Sequence, residues 1–115
     1  MDPKTPRGKG PEHIIQDSIV KMLRNLGWYV KSTNGNAFQS GFPDLWTSHS
    51  RYGHRWIECK LPNMKGSRFT PAQLECFPMF CASGSGVWIL TGDSEHEYKK
   101  LFAKFNWFHY LDIMK

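Results

Sequence analysis

Apolar residues between positions 12 and 26 recur with the period of an α-helix. They stand at i, i+4, i+7, i+8 and i+11, and they are Ile15, Ile19, Met22, Leu23 and Leu26. At about 100° per residue these positions form one stripe along a helix, and Glu12 falls within the same stripe. Gly27 follows the last apolar position, where glycine commonly ends a helix. We therefore predict a helix over residues 12–26.

Shorter apolar and aromatic runs after this helix are typical of strands. Residues 28–31 (WYVK) predict a first strand, and the Gly-, Asn- and Ser-rich residues 32–43 predict a long loop. Residues 44–49 and 55–60 predict two strands that the turn residues SRYG join as an antiparallel hairpin. A short apolar run at 87–91 (VWILT) predicts a buried strand. We expect these segments to share one sheet.

A second helix is predicted to begin at Thr70. Thr70 is a good N-cap residue, Pro71 stands at the first helical position and Gln73 follows three residues after the cap, as in a capping box. We expect this helix to end by Gly84. We also expect a kink at Pro78, because an interior proline removes a backbone donor and clashes with the preceding turn.

Another capping box, Ser94 with Glu97, predicts a third helix. One face of this helix would carry its apolar side chains, Tyr98, Leu101, Phe102 and Phe105. The apolar tail at 107–114 (WFHYLDIM) has no pattern that assigns it. A hairpin followed by a crossover helix and another strand predicts an α/β fold with a mixed sheet flanked by helices.

The composition is that of one globular domain with a basic surplus. The chain has 115 residues, of which 40% are hydrophobic, and we predict a single domain at 12–115 after a flexible basic arm at 1–11. A net charge of +5 favours a polyanionic partner such as nucleic acid. No apolar run approaches the roughly 18 residues of a membrane span, and no secretory signal is present, so we expect a cytoplasmic protein without membrane contact. Three cysteines without C-x-x-C spacing indicate neither a disulfide framework nor a zinc site.

The predicted hairpin brings two carboxylates and an amine together. A hairpin centred on Arg51 places Asp44 opposite Glu58, because both are seven residues from the centre. Opposed residues of an antiparallel pair share a face, with Cβ atoms about 5 Å apart. Lys60 lies two residues beyond Glu58 on the same strand and therefore on the same face. The same register pairs two aromatic residues, Trp46 and Trp56.

Clustered carboxylates repel one another unless a proton or a cation intervenes. Two hard oxygen ligands on a rigid sheet suit Mg²⁺ or Mn²⁺, and Glu12 could supply a third carboxylate from the first helix. The chemistry that this arrangement indicates is metal-assisted attack of water on a phosphodiester. Lys60 would orient or deprotonate the water, or stabilise the charge that develops on the phosphorus oxygens.

Four ordered motifs resemble those of the PD-(D/E)XK nuclease superfamily. They are the helical Glu12, G-x-P-D at 41–44, E-x-K at 58–60 and T-P-x-Q at 70–73. Within the superfamily the chain resembles the virus-type replication-repair nuclease domain, VRR-NUC, over roughly residues 12 to 92. The resemblance implies a restriction-endonuclease-like αβββαβ core.

The resemblance also implies roles for individual residues. Asp44 and Glu58 would bind Mg²⁺ or Mn²⁺ together with the backbone carbonyl of Cys59, and Lys60 would lie next to the attacking water. Glu12 would stand behind the two acids or hold a second cation, and Gln73 would face the site from its helix.

The implied activity is that of a metal-dependent DNA endonuclease. Stand-alone domains of this kind resemble Holliday-junction resolvases, so the implied substrate is branched DNA and the implied origin is a bacterium or a phage. The chain has no recognisable further DNA-binding module, unlike larger multidomain relatives, which leaves the shape of the DNA substrate open.

Each of these residues also has a purely structural interpretation. Asp44 follows a proline and suits a turn, and Glu58 with Lys60 suits the solvated face of an edge strand. Glu12 is favoured in a first helical turn by the helix dipole, and Gln73 could simply complete its capping box. The alternative function is then a non-enzymatic nucleic-acid-binding module that uses its basic residues alone.

Basic residues along the chain are candidate phosphate contacts. They are Lys4, Arg7, Lys9, Lys31, Arg51, Lys65 and Arg68, with His54 as a further candidate DNA contact. The aromatic residues 107–110 could form an apolar contact surface for another protein. We expect this surface to form a homodimer, since cutting both strands of a symmetric junction is easiest for a two-fold pair.

Overall fold

The computed structural model describes residues 10–33, 41–62 and 68–113, without the side chains of 111–113. The helices are α1 (Pro11–Asn25), α2 (Pro71–Ala82), α3 (Glu95–Lys99) and α4 (Trp107–Ile113). The strands are β1 (Tyr29–Ser32), β2 (Leu45–His49), β3 (Gly53–Cys59) and β4 (Trp88–Leu90). Among these described residues, every helix is too short or too polar to cross a bilayer.

One sheet of four strands, in the order β1-β2-β3-β4, organises the molecule. β1 pairs with β2 and β2 with β3 in antiparallel fashion, whereas β3 and β4 are parallel. Parallel neighbours need a long crossover, and α2 provides it between β3 and β4. The α/β fold with a mixed sheet and an αβββαβ core is therefore confirmed.

Two hydrophobic clusters cover opposite faces of the sheet. The first packs α1 against one face through Ile19, Leu23, Val30, Leu45, Ile57 and Leu90. The second joins α2 and α4 to the other face of β4 through Phe77, Val87, Ile89, Trp107 and Tyr110. Because side chains alternate along a strand, Leu90 enters the first cluster and Ile89 the second.

The observed boundaries differ from the predicted ones by one or two residues. α1 begins at Pro11, after Gly10 as its N-cap residue, one residue before the predicted start. β2 begins at Leu45, so that Asp44 precedes the strand instead of opening it. Residues 1–9 of the predicted basic arm lie outside the described residues.

The prediction of one apolar face on the third helix is wrong. α3 ends at Lys99 and continues as a 3-10 turn over Lys100–Phe102. A 3-10 turn has three residues per turn, which rotates later side chains off an α-helical stripe. Leu101 is buried while Phe102 is 45% exposed, and Phe105 lies beyond the helix.

The unassigned tail forms α4, and two of the rings predicted as a contact surface belong to the core. Trp107 and Tyr110 are buried in the second cluster at 2% and 8% exposure, while Phe108 is 52% exposed. Residues three apart share a helix face, and that face packs on the sheet. The prediction that residues 107–110 form an apolar contact surface is therefore wrong for its two buried rings.

Candidate active site

The hairpin has the predicted register. Its centre is Arg51, and the pairs on either side are His49 with Gly53, Trp46 with Trp56 and Leu45 with Ile57. One further step along both chains brings Asp44 opposite Glu58. The convergence of these two acids on one face of the sheet is thus a consequence of the turn position.

Main-chain hydrogen bonds hold both acids in place. The Cys59 N–H donates to Asp44 Oδ2 at 2.9 Å, and the Asp44 N–H donates to Glu58 Oε1 at 3.0 Å. On the other side of Asp44, the Thr33 N–H donates to its carbonyl oxygen at 2.8 Å. The main chain therefore fixes both carboxylates, because each accepts a hydrogen bond from a backbone N–H at or next to the other acid.

Lys60 and Gln73 complete a buried polar cluster around Glu58. Lys60 Nζ lies 3.2 Å from Glu58 Oε2, and Gln73 Nε2 donates to the same oxygen at 2.8 Å. Lys60 Nζ also donates to the Arg68 carbonyl at 2.7 Å and to Gln73 Oε1 at 3.4 Å. Glu58, Lys60 and Gln73 are only 1%, 3% and 8% exposed, so these contacts replace hydration.

The capping box at the start of α2 also orients Gln73. The Gln73 N–H donates to Thr70 Oγ1 at 3.1 Å, and the Thr70 N–H donates to Gln73 Oε1 at 3.0 Å. The amide nitrogen of the same side chain is left to donate to Glu58. Gln73 therefore completes its capping box and faces the acids at the same time.

Gly41, the first residue of the G-x-P-D motif, lies where the segment before β2 contacts α2. Its φ is +89°, and a Cβ placed there would lie 2.8 Å from the Ala72 carbonyl oxygen. Only glycine accepts both the backbone conformation and the close approach. The glycine of the motif thus allows the segment that carries Asp44 to pack against the helix that carries Gln73.

Burial makes it unfavourable for both acids to ionise together. Burial raises the pKa of Asp44 to about 6, while a hydrogen bond from Cys59 opposes this shift and the charge of Glu12 adds to it. Burial, followed by the charge of Asp44, raises the pKa of Glu58 to about 8. A cation near the pair would reverse both shifts, because opposite charge favours the ionised form.

Glu12 lies in the first turn of α1 and is half-buried. Its charge raises the pKa of Asp44, so Glu12 lies within electrostatic range of that acid. Cys59, by contrast, contributes its main chain, because burial raises the pKa of its thiol well above the ordinary range.

The donor set fits a magnesium or manganese site better than a zinc site. Within 10–33, 41–62 and 68–113, no group of three or more His, Cys, Asp or Glu side chains is arranged to hold a metal ion. Magnesium needs only one or two carboxylates and takes its other ligands from water and substrate oxygens. Asp44 and Glu58 supply two neighbouring carboxylates of this kind, and a cation beside them would lower both raised pKa values.

The predicted phosphate contacts occupy different parts of the molecule. Lys31 is exposed on β1, on the face of the acids, and Arg68 is exposed next to Lys60. Arg51 and His54 are exposed at the turn end of the hairpin. At about 3.3 Å per residue, the end of β2 at His49, just before the turn, is roughly 17 Å along the strand from Asp44. The remaining candidates lie outside the described residues: Lys4, Arg7, Lys9 and Lys65.

Two features of the site were missed by sequence reasoning. The Arg68 carbonyl accepts a hydrogen bond from Lys60, and a main-chain acceptor has no signature in a sequence. Tyr29 is exposed on the same sheet face as the acids. The sequence could have predicted this placement, because neighbouring side chains of a strand point to opposite faces and the apolar Val30 is the buried one.

Comparison with known proteins supports the fold. A solved structure described as a VRR_NUC domain matches with a TM-score of 0.61 and 24% sequence identity, over 80% of this chain and 95% of that chain. No protein-family model matches the sequence, and no curated protein matches it. At this level of identity the likeness is one of fold. The chain therefore has a VRR-NUC-like fold, with the restriction-endonuclease-like arrangement of a mixed sheet between helices.

Proposed function

We propose that the protein is a Mg²⁺- or Mn²⁺-dependent DNA endonuclease that hydrolyses phosphodiester bonds. The observation that carries this proposal is the interlocked cluster in which Glu58 accepts hydrogen bonds from the Asp44 N–H at 3.0 Å and contacts Lys60 Nζ at 3.2 Å. The likeness to a structure described as a VRR_NUC domain supports a nuclease over other uses of the same acids.

The burial of the cluster argues against a purely structural role. Ionisable groups are costly to bury, and apolar residues of similar volume often stabilise a fold equally well or better. Glu58 and Lys60 are nevertheless 1% and 3% exposed within the sheet. A non-enzymatic binding module would have no use for such a cluster, since its phosphate contacts would come from exposed basic residues.

Asp44, Glu58 and the Cys59 carbonyl would hold the cation. Such a cation supplies a Lewis acid that stabilises negative charge on the phosphate oxygens and lowers the pKa of water. Asp44 and Glu58 are positioned for this before substrate arrives, because their hydrogen bonds run to main chain of the neighbouring strand. Each carboxylate oxygen in such a bond retains a lone pair for a ligand.

Lys60 acts as a donor and a positive charge. Three acceptors surround Nζ, namely Glu58 Oε2, Gln73 Oε1 and the Arg68 carbonyl, which matches the three donors of an ammonium group. The charge of an ammonium in this position would stabilise the negative charge of the pentacovalent phosphorane, and the ammonium would orient the attacking water by exchanging one of these three contacts for it.

DNA is the proposed substrate because the chain has a net charge of +5 and the fold is VRR-NUC-like. The finer proposal, cleavage of branched DNA by a homodimer, rests on the resemblance to stand-alone domains that act on junctions. A panel of flap, fork, four-way junction and linear duplex substrates separates these shapes.

The decisive experiment compares wild type with Asp44→Asn and Lys60→Ala on this panel, with Mg²⁺, with Mn²⁺ and with EDTA. We expect both variants to lose at least about 10²-fold in cleavage rate, since each removes a preorganised electrostatic contact. DNA binding in EDTA should change little. Glu95→Gln, an exposed acid in the first turn of α3, is the matched control and should cleave at the wild-type rate.

Full activity of Asp44→Asn would contradict the assignment of the site. Binding of DNA by wild type without metal-dependent cleavage of any substrate would favour the alternative, a non-enzymatic nucleic-acid-binding module.

A further inference from the structure

A row of aromatic side chains continues from the acids along the same face of the sheet. The strand register places Lys31 opposite Trp46 and Trp46 opposite Trp56. This row stands two residues away from Asp44 and Glu58, about 7 Å along the strands. We call the four rings of this face the aromatic platform, and they are Tyr29, Trp46, His54 and Trp56.

Three of the four platform rings contact one another across the strands. Tyr29 and Trp46 have ring centroids 6.2 Å apart at 76°, and Trp46 and His54 have centroids 6.4 Å apart with planes only 20° apart. Trp56 instead packs against Phe42 at 5.8 Å and against Phe80 of α2, which lies on the same face of the sheet, at 5.4 Å between centroids. Tyr29, Trp46 and His54 therefore form one set of contacting rings, and Trp56 lies opposite Trp46 in the register, on the side towards α2.

The platform is not part of the hydrophobic core. Neither Trp46 nor Trp56 belongs to either core cluster, and α1 packs on the opposite face of the sheet. Tyr29 is 57% exposed and His54 is also exposed. Across 10–33, 41–62 and 68–113, α2 and α4 cover this face only on the β3–β4 side. Trp46 and Trp56 are half-buried, so part of each ring remains accessible beside the exposed Tyr29 and His54.

The chemistry of the platform suits a nucleic acid better than an apolar protein surface. On the described strands, β1 to β3, the side chains of this face beyond the two acids are aromatic, basic or hydroxyl-bearing, and none is aliphatic: Tyr29, Lys31, Trp46, Ser48, His54 and Trp56. Lys31 is exposed in the row of the two tryptophans, where it can contact a phosphate. Flat rings with an adjacent cation are the combination that holds single strands.

The faces of bases are free to stack on protein rings only where the bases are unpaired, because in a duplex each base is covered by its neighbours. We propose that the aromatic platform binds unpaired nucleotides by stacking, and that the preferred substrate carries a single-stranded segment next to the phosphate that is cut. This inference rests on the proposed nuclease function and specifies the substrate class of the same site. Trp46 and Trp56 stand two residues, about 7 Å along the strands, from Asp44 and Glu58, and this proximity connects stacking to cleavage.

The test measures binding in EDTA, where no cleavage occurs, at one fixed salt concentration. The probes are two labelled flap DNAs that differ only in the flap, which is oligothymidine in one and an abasic chain in the other. We expect wild type to bind the thymidine flap more tightly. Trp46→Leu should weaken binding of the thymidine flap by about 5- to 150-fold, the range for loss of one stacked base, with Trp46→Phe in between. Neither variant should change binding of the abasic flap.

Tyr52→Leu is the matched control. Tyr52 is an aromatic residue 38% exposed at the hairpin turn, outside the platform, and its loss should leave both affinities unchanged. Tyr29→Leu is the second variant, since an exposed position on an edge strand tolerates substitution even where Trp46→Leu perturbs folding.

Equal affinity of wild type for the thymidine and abasic flaps would overturn the proposal. It would also be overturned if Trp46→Leu changed the molecular mass in light scattering without changing the flap preference, since the platform would then join two copies of the chain. Cleavage that survives in Asp44→Asn, with the flap preference intact, would remove the proposed active site and leave the platform. The two proposals therefore fail separately.

Discussion

Glu58 combines deep burial with a full set of partners. Its two carboxylate oxygens accept hydrogen bonds from the Asp44 N–H and from Gln73 Nε2, and Lys60 Nζ lies 3.2 Å from the second oxygen. Even so, its pKa is raised to about 8 by burial and by the charge of Asp44. At this residue the loss of hydration and the repulsion from the Asp44 carboxylate together outweigh the attraction of Lys60.

The raised pKa of Glu58 predicts a fold that loses stability as pH rises in the presence of EDTA. The pKa moves from 4.5 to about 8, so its contribution to the free energy of unfolding is fully present below pH 4.5 and is lost as pH rises through 8. The slope for one such group is at most about 1.4 kcal/mol per pH unit. Chemical denaturation of wild type at several pH values between 5 and 9 measures it.

Glu58→Gln isolates this contribution, because glutamine has a similar shape and cannot ionise. The variant should show a shallower decline of stability over the same pH range, whereas Glu95→Gln on α3 should match wild type. Mg²⁺ should also reduce the wild-type slope, since a cation favours ionised carboxylates. Equal slopes in wild type and Glu58→Gln would mean that the fold tolerates the ionised carboxylate.

At the scale of elements, the site depends on how closely the segment before β2 approaches α2. Gly41 makes that contact, and a Cβ at this position would lie 2.8 Å from the Ala72 carbonyl oxygen. Thr70 and Gln73 then connect the start of α2 to Glu58 through the capping box. A small change in the distance between strand and helix would therefore separate Gln73 from the acids.

Gly41→Ala should destabilise the fold and reduce cleavage together. A left-handed backbone costs a non-glycine residue about 1–2 kcal/mol, and the contact with Ala72 adds to that cost. Gly84→Ala is the matched control, because Gly84 has φ of +91° but nothing within 4 Å of an added Cβ. Thermal unfolding and cleavage rates of both variants are the measurements. We expect similar backbone strain in both, and a loss of activity only in Gly41→Ala.

If both glycine variants cleave at the wild-type rate, the packing of residue 41 on α2 does not position the site. Equal destabilisation by the two substitutions would likewise show that α2 shifts to accommodate the methyl group.

At the scale of the whole molecule, the net charge of +5 predicts DNA binding that weakens steeply with salt. If six of the candidate lysines and arginines contact phosphates of duplex DNA, the log of the affinity should fall against the log of the salt concentration with a slope of about −5. Fluorescence anisotropy over a salt series, in EDTA, measures this slope.

Single substitutions then assign the contacts. Lys31→Ala and Arg51→Ala should each reduce the slope by about one and weaken binding on all sequences alike. Glu75→Gln on α2, which removes an exposed negative charge, should not reduce the slope. A flat salt response of wild type would exclude most of these contacts.

Local patterns were sufficient to predict much of the molecule. The period of the apolar residues predicted α1 to within one residue at each end, and Thr70 with Gln73 predicted the start of α2. The position of the SRYG turn predicted the hairpin register, because antiparallel pairing counts outward from its centre. These features depend on residues near one another in the chain, so the sequence carries their signals directly.

Other features could not be predicted in this way. The burial of Trp107 and Tyr110, the change to a 3-10 turn after Lys99 and the acceptance of a Lys60 hydrogen bond by the Arg68 carbonyl all involve contacts between separate elements. A single sequence does not reveal which apolar face will find a partner, since tertiary packing decides that.

The sequence by itself determined the order of helices and strands from α1 to α3, the register of the hairpin and the identity of the paired acids, but not α4. Only the tertiary structure decided how deeply the acids are buried, that one glutamine serves both the helix cap and Glu58, and that Tyr29 and His54 of the aromatic platform are exposed while Trp46 and Trp56 are half-buried. The reason is physical. Periodicity and turn chemistry act over a few residues, whereas burial and the pKa shifts that follow from it are set by which elements cover one another in three dimensions.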